Sequence, residues 1–130
     1  MTASTEVTIT SRNRRLSDDA EALAQFHQSM AELNAKKEKY SVSPFKTYRR
    51  EIMSGYSTAQ RMAALTLHLW NDAYPVRLGS LFANADERHT QIALELMESY
   101  SVWGENDPDF MALGREIYER DIASNKSKES

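Results

Sequence analysis

Glycine and proline are scarce in this chain, and their scarcity limits what it can fold into. Four Gly and three Pro occur among 130 residues, and each is read as a point where a helix starts or stops. Between these points apolar residues recur at steps of three and four. Outside "EVTIT" no segment alternates with a period of two. The spacing predicts an all-α bundle of about five helices plus one short helix, a single domain over residues 17–122. Residues 1–16 are expected to form a flexible or short-strand N-terminal segment, and residues 123–130 a polar tail.

The helix signals are local. Ser17 is a candidate N-cap, with Asp18 and Asp19 placed to complement the positive end of the helix dipole. Leu23, Phe26, Met30 and Leu33 come next as a narrow stripe, closer to a coiled-coil seam than to a broad core face. Lys36, Lys37 and Lys39 stand near the C-terminal end, where cations are favoured. "SVSPFKTYRREIMSG" restarts with Ser43 as cap and Pro44 at the first helical position, and Gly55 is placed to end it. Ser57 or Thr58 is expected to cap "STAQRMAALTLHLWND". There Met62, Ala63, Leu65, Leu67, Leu69 and Trp70 cover most of the circumference, so this is the predicted central helix. Pro75 ends that run. "VRLGSLF" reads as a short helix, and Asn84 with Glu87 resembles a capping box for the next. Gly104 stops that helix. Asp107 and Pro108 open the last one, whose stripe is Phe110, Leu113 and Ile117. Trp70 and Phe82 are expected to be buried beside Leu96.

Composition removes several functional classes. The chain has no cysteine, which excludes a disulfide framework, a thiolate metal site and a cysteine nucleophile. No apolar run approaches the roughly 20 residues of a membrane span. "MTASTEVTIT" lacks the basic and apolar regions of a secretory signal. The expectation is a soluble cytoplasmic protein without a membrane partner. The net charge of −3 does not advertise a nucleic-acid partner. Charge is nevertheless uneven. Residues 1–50 carry nine Lys or Arg against six Asp or Glu, and residues 51–130 carry seven against thirteen.

The stretch "LHLWNDAYPVRLGSLFANADERH" is the densest in chemistry-bearing residues. His68 with Asp72, and Asp86 with His89, have helical i, i+4 and i, i+3 spacing. Zinc or iron needs three or four converging ligands. These two pairs lie on different elements, at helix ends where Asp serves as cap. No HExxH or ExxH is present, so no metal site and no cofactor are expected. Serines stand at caps, no GxSxG elbow occurs, and no two glycines are close enough to cradle a phosphate. No catalytic residue is assigned and an enzyme is not expected.

Two surfaces remain. The run from Ser57 to Tyr100 has a helix-turn-helix outline. Its would-be recognition helix opens on Asp86 and Glu87, which repel phosphates. A basic set, Arg12, Arg14, Arg15, Lys46, Arg49 and Arg50 with Tyr48 among them, is the alternative patch for nucleic acid or for an acidic partner. The seam Leu23, Phe26, Met30 and Leu33 is the candidate surface for a protein partner or for a second copy in a homodimer. Phe45, Tyr48, Trp103 and Tyr118 are aromatic residues of the kind that anchor interfaces or fill cores.

"GYSTAQRMAALTLHLWN", with "VRLGSLFANADERH" after it, resembles a family of small helical bacterial proteins, a domain of unknown function found around integrative and conjugative elements. The matching positions are Gly55, Ser57, Arg61, Trp70, Asn71, Leu78, Leu81 and Asp86. The likeness spans residues 55–89 and leaves the N-terminal helix and the segment after Trp103 outside it. It implies a mobile-element setting and carries no activity or site. The function expected from these readings is a small non-enzymatic protein-binding module, an adaptor or an inhibitor of the anti-defence type. The alternative is a helix-turn-helix-like transcriptional regulator that binds DNA as a dimer. The direction in which the basic set points separates the two.

Overall fold

The computed structural model describes the backbone of residues 2–125 and the side chains of residues 17–125. Within these residues it is all-α, with no strand. The elements are α1 (Thr2–Lys39), α2 (Pro44–Thr47), α3 (Arg49–Ile52), α4 (Ser57–Trp70), α5 (Leu78–Asn84), α6 (Glu87–Trp103) and α7 (Pro108–Tyr118). A 3₁₀ turn, Gly104–Asn106, precedes α7, and a π-helical turn, Glu119–Ala123, comes after it. The chain divides into two compact units, Met1–Lys36 and Lys37–Ser130.

The first unit is the greater part of α1. This helix does not begin at Ser17; it runs from Thr2, so Ser17 lies inside it. A strand at "EVTIT" would need a sheet neighbour to satisfy its backbone, and no described segment is a strand. A helix satisfies its own hydrogen bonds.

In the second unit the starts and stops mostly obey the local chemistry. Ser43 accepts from the Phe45 amide at 3.2 Å and Pro44 takes the first helical position. The helix expected to run on to Gly55 is broken at Tyr48, whose backbone (φ −102°, ψ 13°) separates α2 from α3. Gly55 has φ +86°, a left-handed turn that glycine adopts without strain. Two caps differ from expectation. Tyr56 occupies the N-cap of α4, with Ser57 already helical. Asp86, not Asn84, caps α6, accepting from the His89 amide at 2.8 Å. Asn84 is instead the last residue of α5 and donates to the Ser80 carbonyl.

The core is a single apolar cluster. Phe45, Ile52, Met62, Leu65, Leu81, Ile92, Leu96, Phe110, Leu113 and Ile117 are all essentially inaccessible. The central helix is α4, which buries Ala59, Met62, Ala63, Leu65, Thr66 and Leu67. Buried Thr66 returns its hydroxyl proton to the Met62 carbonyl at 3.0 Å. Phe45 packs on Phe110 with ring centroids 4.8 Å apart. Trp70 and Phe82 are only half-buried at the rim of this cluster. Trp70 lies against α7, with its ring 5.7 Å from that of Tyr118.

Gly114 explains where Trp70 sits. It is buried inside α7, not at a helix end. A Cβ on Gly114 would stand 2.4–2.7 Å from three side-chain atoms of Trp70. The missing side chain is therefore the space the indole occupies. A second tie joins the starts of α2 and α7. The Ser43 hydroxyl donates to Asp107 Oδ2 at 2.6 Å, and Asp107 Oδ1 accepts from the Asp109 and Phe110 amides at 3.0 and 3.3 Å.

Two substitutions test this packing. Gly114→Ala is expected to destabilise by about 2–3 kcal/mol through overpacking, and combining it with Trp70→Leu should recover part of that loss; additive losses in denaturant titration would overturn the contact. Asp107→Ala removes a cap and leaves a buried hydroxyl without its acceptor, an expected loss of about 2–3 kcal/mol. Asp107→Asn keeps one acceptor oxygen for the Asp109 and Phe110 amides but puts an NH2 donor where Oδ2 accepts from Ser43, so its loss should be smaller than that of Asp107→Ala; equal losses would show that the cap hydrogen bonds are not what matters.

Candidate functional site

Among the described residues of the first unit, the large exposed apolar side chains are those of the α1 seam. Leu23, Phe26 and Met30 are 57, 59 and 41% exposed. Leu33 is half-buried, and no residue from 17 to 36 is buried. Single exposed apolar residues are ordinary on protein surfaces. Three large ones in register on one helical stripe are not, because each would gain about 1.5–3 kcal/mol on full burial. The flanking positions are small or polar: Ala20, Ala22, Ser29 and Asn34. Gln28 donates to Glu32 one turn on at 3.4 Å, which ties the face opposite the seam. The seam is bracketed by charge of opposite sign, with Asp18, Asp19 and Glu21 before it and Lys36 and Lys37 after it.

Of the basic set, the structure describes the side chains of Lys46, Tyr48, Arg49 and Arg50. The side chains of Arg12, Arg14 and Arg15 lie outside the described residues. Arg49 is paired with Glu116. Tyr48 is half-buried, and its hydroxyl donates to Glu95 at 2.7 Å. That hydrogen bond, with partial burial, pushes the phenol above its usual range. Tyr48 is thus tied to a carboxylate and does not lie as a stacking face among cations. Lys46 and Arg50 remain exposed and have no carboxylate partner among the described residues. Elsewhere cations are also matched: Arg88 with Glu51 at 2.6 Å, Arg115 with Glu119 at 3.2 Å, and Arg120 with Asp121 at 2.7 Å. Such exposed pairs add little stability, but they remove positive charge from the surface a polyanion would meet.

Two histidines, His68 and His89, are held by hydrogen bonds at helix ends. His68 Nδ1 is 2.7 Å from the Tyr74 carbonyl, which fixes the turn after α4. His89 lies between two partners, with Nδ1 2.7 Å from Asp86 Oδ1 and Nε2 2.8 Å from the Tyr56 hydroxyl. A carboxylate only accepts, so Nδ1 donates to it and the other nitrogen of the neutral ring accepts from Tyr56. The sequence spacing pairs Asp86 with His89 but gives no sign of Tyr56, which lies 33 positions away. The order Tyr56–His89–Asp86 has the outline of a relay. However, burial and the Glu51 charge push the Tyr56 phenol upward, opposite to what an activated nucleophile requires. Asp86 is moreover already engaged as a helix cap. Among the described residues no three His, Asp or Glu side chains are placed to hold a metal ion.

One open cleft of about 330 Å³ lies where Ser57, Gln60, Arg61 and Ala64 of α4 face Pro75, Arg77 and Ser80. Neither arginine has a carboxylate partner among the described residues. The aromatic residues divide between core and rim. Phe45 is 1% exposed and belongs to the core. Tyr118 packs on Trp70 and Tyr74. The Trp103 ring carries the Lys37 ammonium 5.8 Å from its centroid, while its buried indole N–H meets no acceptor.

No protein-family model matches this chain, no curated protein is significantly similar to it, and no solved structure matches its fold.

The Asp86 cap has a pH signature. The His89 backbone amide, then the His89 ring, hold its carboxyl below the usual carboxylate range. A lowered folded-state value means that the contribution is present above the unfolded pKa and is lost as pH falls through the folded one. The stability gap between the parent and Asp86→Ala is therefore expected to be full at neutral pH and to close on acidification below about pH 4. Denaturant midpoints from neutral pH down through the carboxylate range check this; a gap that does not change with pH would show that the carboxylate charge contributes nothing.

Proposed function

We propose that this chain is a small non-enzymatic protein-binding module that docks its partner on the α1 seam, acting as an adaptor or an inhibitor. The carrying observation is the exposure of Leu23, Phe26 and Met30 in one stripe. Such a stripe fits an apolar helix face, since knobs spaced by three and four residues pack into the holes of a neighbour with the same spacing. The basic set lends support as well. Arg49 is ion-paired and Tyr48 is bonded to Glu95, whereas a DNA-reading surface needs its cations free.

The helix-turn-helix alternative asks α6 to read bases with its first turn. There Asp86 is the cap, Glu87 is next, Arg88 is paired with Glu51, and His89 is turned to Tyr56. This arrangement supports the protein-binding reading over the DNA-binding one. The mobile-element setting implied by residues 55–89 is compatible with an inhibitor carried against a host protein.

The test compares the tagged parent with a Leu23→Glu/Phe26→Glu variant in pull-downs from the native host with and without nuclease, beside circular dichroism of both. We expect the parent to retain a stoichiometric protein and the variant to lose it by tenfold or more with its fold intact. Equal recovery by both overturns the seam. Recovery of nucleic acid alone, lost on nuclease treatment, overturns the protein-binding reading.

A further inference from the structure

From the register and charge order of the α1 seam we infer its occupant: a second copy of this chain, with the two α1 helices antiparallel. This inference rests on the protein-binding reading and names its partner.

The heptad register is set by the stripe. Leu23 and Met30 fall at a positions, Phe26 and Leu33 at d positions. In an antiparallel pair each a residue faces a d residue of the other helix. Leu23 then meets Leu33 of the second copy, and Phe26 meets Met30. The two-fold axis repeats both contacts, giving four apolar layers. A large aromatic ring opposes a flexible thioether, and two leucines oppose each other, so the seam is self-complementary without a slip in register. The e and g positions beside these layers are Ala20, Ala22, His27, Ser29, Asn34 and Lys36. Small side chains at three of them let the backbones approach closely.

Charge decides the direction. Asp18, Asp19 and Glu21 stand at one end of the seam, and Lys36 and Lys37 at the other. The pairing that sets Leu23 on Leu33 also sets Asp19 opposite Lys37. A parallel pair in register would place the three carboxylates against their own copies and the lysines against lysines, which is repulsive at both ends. The three carboxylates and Lys36 have no partner among the described residues. Lys37 has an aromatic one only, the Trp103 face. Four layers make a small interface, at the weak end of specific assemblies. The expected behaviour is a reversible monomer–dimer equilibrium with a dissociation constant on the order of 1–100 µM, weakening as salt rises.

The absence of native cysteine makes the test clean. Sedimentation equilibrium of the full-length parent is expected to show dimer, and Phe26→Glu to shift the dissociation constant at least tenfold upward. Leu23→Cys and Leu33→Cys chains, mixed and oxidised, should cross-link to each other several-fold more than either does to itself. A parent that stays monomeric up to about 500 µM overturns the inference. So does a dimer insensitive to Phe26→Glu, or self-cross-linking of Leu23→Cys at or above the mixed yield, the signature of a parallel pair. A monomeric parent that still captures a different protein through the seam overturns this inference alone and leaves the binding module standing. A monomeric parent with no seam-dependent capture overturns both.

Discussion

The second unit depends on a side chain that is not there. Gly114 gives α7 a bare backbone surface, and Trp70 at the end of α4 fills it. Any side chain at that position would push the two helices apart, and α7 organises its neighbours from both of its ends. At its start stands Asp107, whose carboxylate caps α7 and anchors Ser43. Ser43 in turn starts α2 and sets Phe45 on Phe110. Its last residue, Tyr118, closes over Trp70 and Tyr74. The close approach at Gly114 and the contacts at the two ends of α7 together fix the entry of α2, the exit of α4 and the aromatic centre of the core.

The parts of this fold that are legible in the sequence are those governed by short-range chemistry. Ser43–Pro44 and Asp107–Pro108 begin helices, Gly55 and Gly104 end them with positive φ, and α4 is the buried helix. The differences have a common cause. Local rules treat Gly114 as punctuation because they see only its backbone freedom; its reason lies far off in the chain, in Trp70. Asn84 and Ser57 are sound cap residues by type, yet Asp86, an equally good one, caps α6, and Tyr56, which makes no side-chain cap bond, stands before α4. The start of α1 lies before Ser17 because a β-branched run such as "EVTIT" has no strand to pair with, and a good cap residue inside a helix does not stop it. Of the site, the seam is legible because its spacing is intrinsic to one helix. The pairings of Tyr48 with Glu95, Arg49 with Glu116 and His89 with Tyr56 are not, because each joins elements far apart in sequence.

Those long-range pairings also give the charge asymmetry a physical meaning. The mildly basic N-terminal part does not present all its cations outward. Arg49 reaches Glu116 and Lys39 reaches Glu98, so residues before position 50 draw on the acidic surplus after it. Lys39 is held above its usual range by the Tyr40 phenol first and by Glu98 next. In pairs this exposed, mutual attraction sets orientation more than stability. Among the described residues of the second unit, Lys46 and Arg50 stay without a carboxylate partner in one stretch of sequence, and Arg61 and Arg77 around a cleft.

A helix such as the one through residues 17–36 has no buried residue to hold it. Alanines favour it and Gln28–Glu32 supports it locally. Even so, most of a helix's stability in a protein comes from packing of its apolar face, and Leu23, Phe26 and Met30 are uncovered here. The apolar stripe is the feature that can still add to its stability. Covering Leu23, Phe26 and Met30 would remove three large side chains from water and, in the same step, hold the backbone of that stretch helical. Association and helix stability are then coupled. Whatever occupies the seam must select the helical form, and a partner that cannot present apolar side chains at steps of three and four gains nothing from it. This ties recognition by this surface to spacing and direction and not to the chemistry of any one side chain.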